Sequence, residues 1–199
     1  MPEPVTFRPR GGQIIAWVAI GICALGLVFV AITDGVPSLI VWAWPIVLVA
    51  WLAWILYIRP YVQISEGFIE IGNVFRTHRV PWGDVTDVDS RYALTIHTTG
   101  GRSIRAWAAP APSARQAMTT HREEVARTPG EGDTRRPSDA EGTASGDATA
   151  LVRRTLEQYH RSGGDTTPGG TVSTLNVTVI AVTAVLIAAA VLSLALPHD

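Results

Sequence analysis

Between Tyr61 and Trp107, apolar and polar residues alternate in short runs: YVQIS, FIEIGN, ALTIHTT and RSIRAWA. The runs are punctuated by Glu66-Gly67, Gly72-Asn73, Gly83-Asp84 and Gly100-Gly101. Period two marks a strand with one buried face, because successive side chains point to opposite sides. Val62 with Ile64, Ile69 with Ile71, and Leu94 with Ile96 therefore share inward faces, and the glycine-containing breaks supply hairpin turns. The pattern predicts a small antiparallel β domain over 59–127.

A different pattern flanks it. Ile14–Ile32, Leu39–Ile58 and Val172–Leu196 are apolar blocks without charge. About 20 residues at 1.5 Å rise cross a hydrocarbon core of roughly 30 Å, so each block predicts a transmembrane helix. The first exceeds the usual ~7–15-residue core of a signal peptide and has no A-x-A site after it, which favours a retained helix. The second contains Trp42, Trp44, Trp51, Trp54 and Tyr57, read as interface anchors and helix-packing groups, with Pro45 expected to kink or loosen it.

The expected organisation is a tail over 1–13, a transmembrane hairpin over 14–58, the β domain, a flexible linker over 128–171 with a short amphipathic helix at 150–161, and a last span over 172–196. The segment 128–148 has no aromatic or branched aliphatic residue and cannot offset its ordering entropy, so it is expected to be disordered. Ser113–Arg127 offers a further helix with Ala114, Ala117, Met118, His121 and Val125 on one face. The fold class predicted is an α+β membrane protein: three transmembrane helices, a small antiparallel cytoplasmic β domain and a disordered linker.

Charge orients this plan. All 16 basic residues are arginine, as a GC-rich coding bias produces. Arg8 and Arg10 precede the first span, Arg59 follows the second, and Arg153, Arg154 and Arg161 precede the third, whereas the loop between spans one and two has none. The positive-inside rule places the N-terminus and the whole 59–171 region in the cytoplasm of a multi-pass cell-membrane protein. The same three arginines could hold the 150–161 helix on an anionic surface. A net charge of −1 gives no general attraction to nucleic acid, and the single Cys23 allows neither a disulfide framework nor a cysteine-based metal site.

Candidate chemistry is sparse. Asp84, Asp87 and Asp89, with Glu66 and Glu70 upstream, read as solvated surface acids, Asp84 as a turn residue after Gly83. His78, His97 and His121 lack the H-x-H or H-x-x-x-H spacing of metal ligands, and no phosphate loop or nucleophile motif is present. No catalytic residue, metal or cofactor is expected. Trp82 and Trp107 read as core aromatics. Arg76, Arg79, Arg91, Arg102 and Arg105 remain as candidate contacts for lipid headgroups or a partner, each basic residue contributing on the order of 1 kcal/mol near an anionic surface.

The strand–Glu66-Gly67–strand hairpin, the segment Arg76–Val85 (RTHRVPWGDV) and the glycine-rich hairpin closing on Ala106-Trp107 resemble the short bacterial pleckstrin-homology-like (PH-like) domains of actinobacterial membrane proteins. The resemblance implies two packed antiparallel sheets with a C-terminal helix, which Ser113–Arg127 would supply. Phosphoinositide-binding members of the wider family use a basic first hairpin, and Ser65-Glu66-Gly67 departs from it, which argues against a specific phosphoinositide site. The function implied is that of a non-enzymatic, membrane-anchored interaction module binding an unidentified protein partner or the anionic membrane surface. The alternative is an accessory or regulatory subunit of a membrane enzyme or transporter.

Overall fold

The computed structural model describes residues 5–8, 10–89, 93–110, 144–167 and 169–195. The chain divides into a helical unit, comprising Pro9–Pro60, Val74–Arg76 and the chain from Leu175, and a β unit comprising the N-terminal strand, Tyr61–Asn73 and Thr77–Thr174.

In the helical unit, α1 (Arg10–Thr33) packs on α2 (Gly35–Ala53), and α2 packs on the last helix of the chain, α4 (Val177–Ala195). The helices span Gly12–Thr33, Gly35–Ile58 and Val177–Ala195 and are long and apolar enough to cross a membrane. Large side chains such as Ile15, Leu25, Phe29, Val49 and Leu192 point outward. The turn between the first two helices is tight. Only Asp34 separates them, because Gly35 takes the positive φ of 74° and Pro37 sits in the first helical turn, where its missing N–H costs nothing.

Helix α2 continues through Pro45, and the departure from α geometry falls instead at Trp54–Ile58, one π-helical turn. Between helices, Trp51 Nε1 donates to Thr183 Oγ1 at 2.9 Å, and that hydroxyl donates in turn to the Val179 carbonyl at 2.7 Å. Trp51 and Trp54 have ring centroids 5.1 Å apart, and the Trp51 hydrogen bond runs to the last helix, not to the first.

The β unit is a sandwich of two antiparallel sheets. Its first sheet has the order β1-β2-β3-β4-β8, from β1 (Val5–Phe7), β2 (Tyr61–Ile64), β3 (Phe68–Gly72), β4 (Arg76–Pro81) and β8 (Val172–Leu175). The second is β5 (Val85–Asp89), β6 (Ala93–Thr98) and β7 (Ser103–Pro110). Strand register follows the alternation in the sequence. Val62 pairs Ile71 and Ile64 pairs Ile69, which puts all four inside with Val80, Leu94, Ile96, Ile104, Ala106 and Ala108. Trp82 lies wholly in this core, in the short 3₁₀ turn Trp82–Asp84 that carries the chain from one sheet to the other.

Four expectations change. Val5–Phe7, assigned to a tail, pairs with β2 as an edge strand. Val172–Leu175, assigned to the third span, is strand β8, and the helix starts at Val177. The apolar block hid this boundary because V-S-T-L also alternates.

The helix expected at 150–161 begins at Ala144, as α3 (Ala144–Arg161), and belongs to the sandwich. Ala148 and Val152 are buried in the core, with Leu151, Leu156 and Tyr159 packed beside them. Its apolar stripe is therefore used on the sheets rather than left for a membrane surface, and Arg153 Nη2 donates to the Val88 carbonyl at 2.8 Å. The sandwich is thus closed by α3, where a C-terminal helix was expected from Ser113–Arg127, a stretch outside the described residues.

Finally, Ser162–Gly170, expected to be a flexible connector, has fixed partners where it is described. Tyr159 Oη donates to the Asp165 carbonyl at 3.1 Å, and Asp165 Oδ1 accepts from the Thr167 amide at 2.9 Å. Of the linker predicted over 128–171, residues 128–143 and 168 lie outside the described residues.

Candidate interaction surface

Alternation that buries one side of each strand fixes what the other side displays. On the outer face of the first sheet, Gln63, Glu70 and Arg79 form one cross-strand row. The Arg79 guanidinium lies 3.6 Å from the centroid of the Phe68 ring, a cation–π contact, and Tyr61 Oη donates to Glu70 Oε1 at 2.6 Å. Arg79 is thus held by its own sheet while its charge stays exposed.

The outer face of the second sheet presents two rows, Asp87–His97–Ser103 and Asp89–Thr95–Arg105, so acids line β5 and the cation lies on β7. Ser103 Oγ and His97 Nδ1 are 2.9 Å apart. Serine, histidine and aspartate in one row invite a hydrolytic reading. A nucleophilic serine also needs oxyanion donors aimed into a pocket, whereas Ser103 stands on an exposed sheet face. Trp107, expected in the core, is 55% exposed, because Ile104, Ala106 and Ala108 take the inward parity of β7. Its amide donates to Asn73 Oδ1 at 2.8 Å, and Asn73 Nδ2 donates to the Arg105 carbonyl at 2.8 Å. One asparagine side chain therefore ties the end of β3 to β7.

Within the β unit, the candidate arginines Arg79, Arg102 and Arg105 do not share one face. Arg79 and Arg105 lie on the outer faces of different sheets, and Arg102 lies at the β6–β7 turn. Arg76 opens β4 but falls within the helical unit, and Arg91 lies outside the described residues.

Asp84 is the main residue that sequence reasoning misplaced. Expected as a solvated turn acid, it is 3% exposed. Its carboxylate accepts the Gly169 amide at 3.0 Å and the Thr171 hydroxyl, and it lines a recess of about 390 Å³ with Thr99, Gly100, Arg102 and Gly170. The Thr171 hydroxyl, with help from the Gly169 amide and Thr99, holds its pKa below the ordinary carboxylate value, against a smaller opposing push from burial. Asp165 is likewise lowered, by the hydroxyl and then the amide of Thr167. Among the described residues no three histidine, cysteine or acidic side chains cluster as a metal site would require.

Two antiparallel sheets sharing a core at Trp82, with helix α3 packed on them and polar outer faces, fit a PH-like domain. Residues 59–130 match the family model described as a bacterial PH domain, which is consistent with a PH-domain-containing protein. Neither a curated protein nor a solved structure matches it. The matched segment ends before α3 and β8 and starts after β1, so three elements of the sandwich lie outside it. PH domains are generally non-catalytic interaction modules for proteins or lipids.

Proposed function

We propose that this protein is a membrane-anchored, non-enzymatic interaction module, with its PH domain on the cytoplasmic side holding a protein partner or the anionic membrane surface. The observation behind this reading is the union, in one chain, of a PH domain and three helices apolar enough to cross a bilayer. Arg79 on one outer face or Arg105 on the other is the contact residue it favours, each being exposed on a strand rather than a loop, and replacing both tests either face. Anchoring matters to strength: a tethered domain meets its target at high effective concentration, so weak contacts suffice.

Two measurements test it. In a Cys23→Ser background, Asp34→Cys should react with an impermeant thiol reagent from outside intact cells, and Thr99→Cys only after permeabilisation. Labelling of Thr99→Cys from outside would overturn the orientation. For the contact itself, a polarity-sensitive dye at Ser103→Cys in the full chain should respond to anionic but not neutral vesicles. The response should fade with salt, which screens charge beyond about 8–10 Å near physiological ionic strength. Arg79→Gln with Arg105→Gln should abolish it. If the dye ignores lipid charge, the protein-partner form requires that pull-down in detergent recover a stoichiometric partner that the same double variant loses. Failure of both sinks the module reading.

A further inference from the structure

The turn between β3 and β4 belongs to the helical unit. Val74 is buried there with Ile55 and Val179, beside Trp51, Leu52, Trp54 and Leu56. Its carbonyl accepts Arg59 Nη1 at 2.9 Å, and the Phe75 carbonyl accepts the Asn176 amide at 2.9 Å. These partners fix the depth of the turn along the helices. Ile55 lies in the last turn of the second apolar helix, which ends at Ile58, and Val179 lies in the first turn of the third, which begins at Val177. Val74 therefore sits two to three residues, roughly 3–5 Å, inside the apolar part of both.

Phe75 follows immediately, and its ring is not used in that packing: it is 47% exposed. Tyr57, from the same last helical turn, is 45% exposed. A bilayer crossed by these helices has its headgroup–acyl boundary at this level, where aromatic rings concentrate. Arg76, the next residue, is exposed, and its stem is long enough to keep its charge among headgroups while the ring beside it stays in apolar surroundings.

We propose that Phe75 is a phospholipid contact: the tip of the β3–β4 turn, built into the helical unit, places this ring at the headgroup–acyl boundary. The inference rests on the membrane reading above and names a lipid contact outside the set of outer-face arginines. Its stabilising elements are the Arg59 and Asn176 hydrogen bonds, which fix the backbone on both sides of the exposed ring.

The test uses the full chain in phosphatidylcholine–phosphatidylglycerol vesicles and nitroxide probes at single cysteines. Collision with oxygen marks lipid, and collision with a water-soluble nickel chelate marks solvent. A probe on native Cys23 reports whether α1 is in the bilayer at all. With Cys23→Ser, the Phe75→Cys probe should favour oxygen over nickel as the Cys23 probe does, and Thr99→Cys should favour nickel. If Cys23 reads lipid and position 75 reads water, this inference fails while the membrane reading stands. If Cys23 itself reads water, both fail. Because cysteine at 75 could disturb the turn, the unmodified protein is also photolabelled with a phospholipid carrying a carbene precursor near its glycerol. A labelled peptide containing Phe75 supports the contact, and labelled spans with an unlabelled Phe75 overturn it.

Discussion

Trp82→Ala should be the most damaging single change in the β unit, costing about 3–5 kcal/mol as large buried aromatics do. The ring is 0% exposed and touches the core contributed by both sheets. The cavity left by removing it opens at the turn from β4 to β5, where collapse around it would have to shift both strands. A second loss follows from the indole N–H, which donates to the Ser65 carbonyl at 2.9 Å and so pins the β2–β3 hairpin. Leaving that carbonyl without its donor adds on the order of 1 kcal/mol. Small domains are stable by roughly 5–15 kcal/mol, so the variant should sit near its unfolding midpoint at growth temperature.

Trp107→Ala, 55% exposed at the start, should cost clearly less than Trp82→Ala. Denaturant titration of the full chain in detergent, read by amide exchange in β2–β7, distinguishes the two residues. Equal losses at both would mean the assignment of inward and outward faces on β7 is wrong.

That contrast also shows how far a local pattern reaches. Parity on β7 places Ile104, Ala106 and Ala108 inside, so exposure of Trp107 was legible from its neighbours. Hydrophobic weight pointed the other way, and parity governed. The core pairs Val62–Ile71 and Ile64–Ile69 were legible for the same reason. Strand β1 was not, since three residues are too short a run for alternation to rise above chance. Nor was the start of α3, whose first turns are alanine, glycine, serine and aspartate; Ala148 matters there because a small side chain lets the helix approach the sheets closely. Asp84 is the extreme case. Its partners Gly169 and Thr171 lie 85 and 87 residues further along, and no local signal marks a carboxylate that such a distant segment will cover.

Asp84→Ala should release that distant segment. The carboxylate holds Gly169 and Thr171 beside the Trp82–Asp84 turn, and the fit of the neighbouring Asp165–Thr167 is close. A Cβ added at Gly83 would lie 2.6 Å from the Asp165 carbonyl oxygen and 2.8 Å from that of Thr167, both backbone atoms that cannot swing aside. Removing the carboxylate leaves the Gly169 amide without an acceptor, at about 1–3 kcal/mol. Asparagine retains one acceptor, and the Thr171 hydroxyl can turn to accept from its amide, so Asp84→Asn should lose less.

Both effects should appear as faster amide exchange at Gly169–Thr171 and in β8, with β2 and β3 little changed. Gly83→Ala should produce the same local signature by steric means. The pH dependence has a definite sign. Because the folded pKa of Asp84 is depressed, its contribution is fully present above the unfolded value of about 3.9 and disappears as pH falls through the lower folded value. Acidification below about pH 4 should therefore loosen the segment in the wild type, and Asp84→Asn should flatten that response. Asp165 is also lowered but is fully exposed, so Asp165→Asn should leave most of the acid response in place. An acid response that survives Asp84→Asn but vanishes with Asp165→Asn would move the titrating clasp from the buried carboxylate to the exposed one.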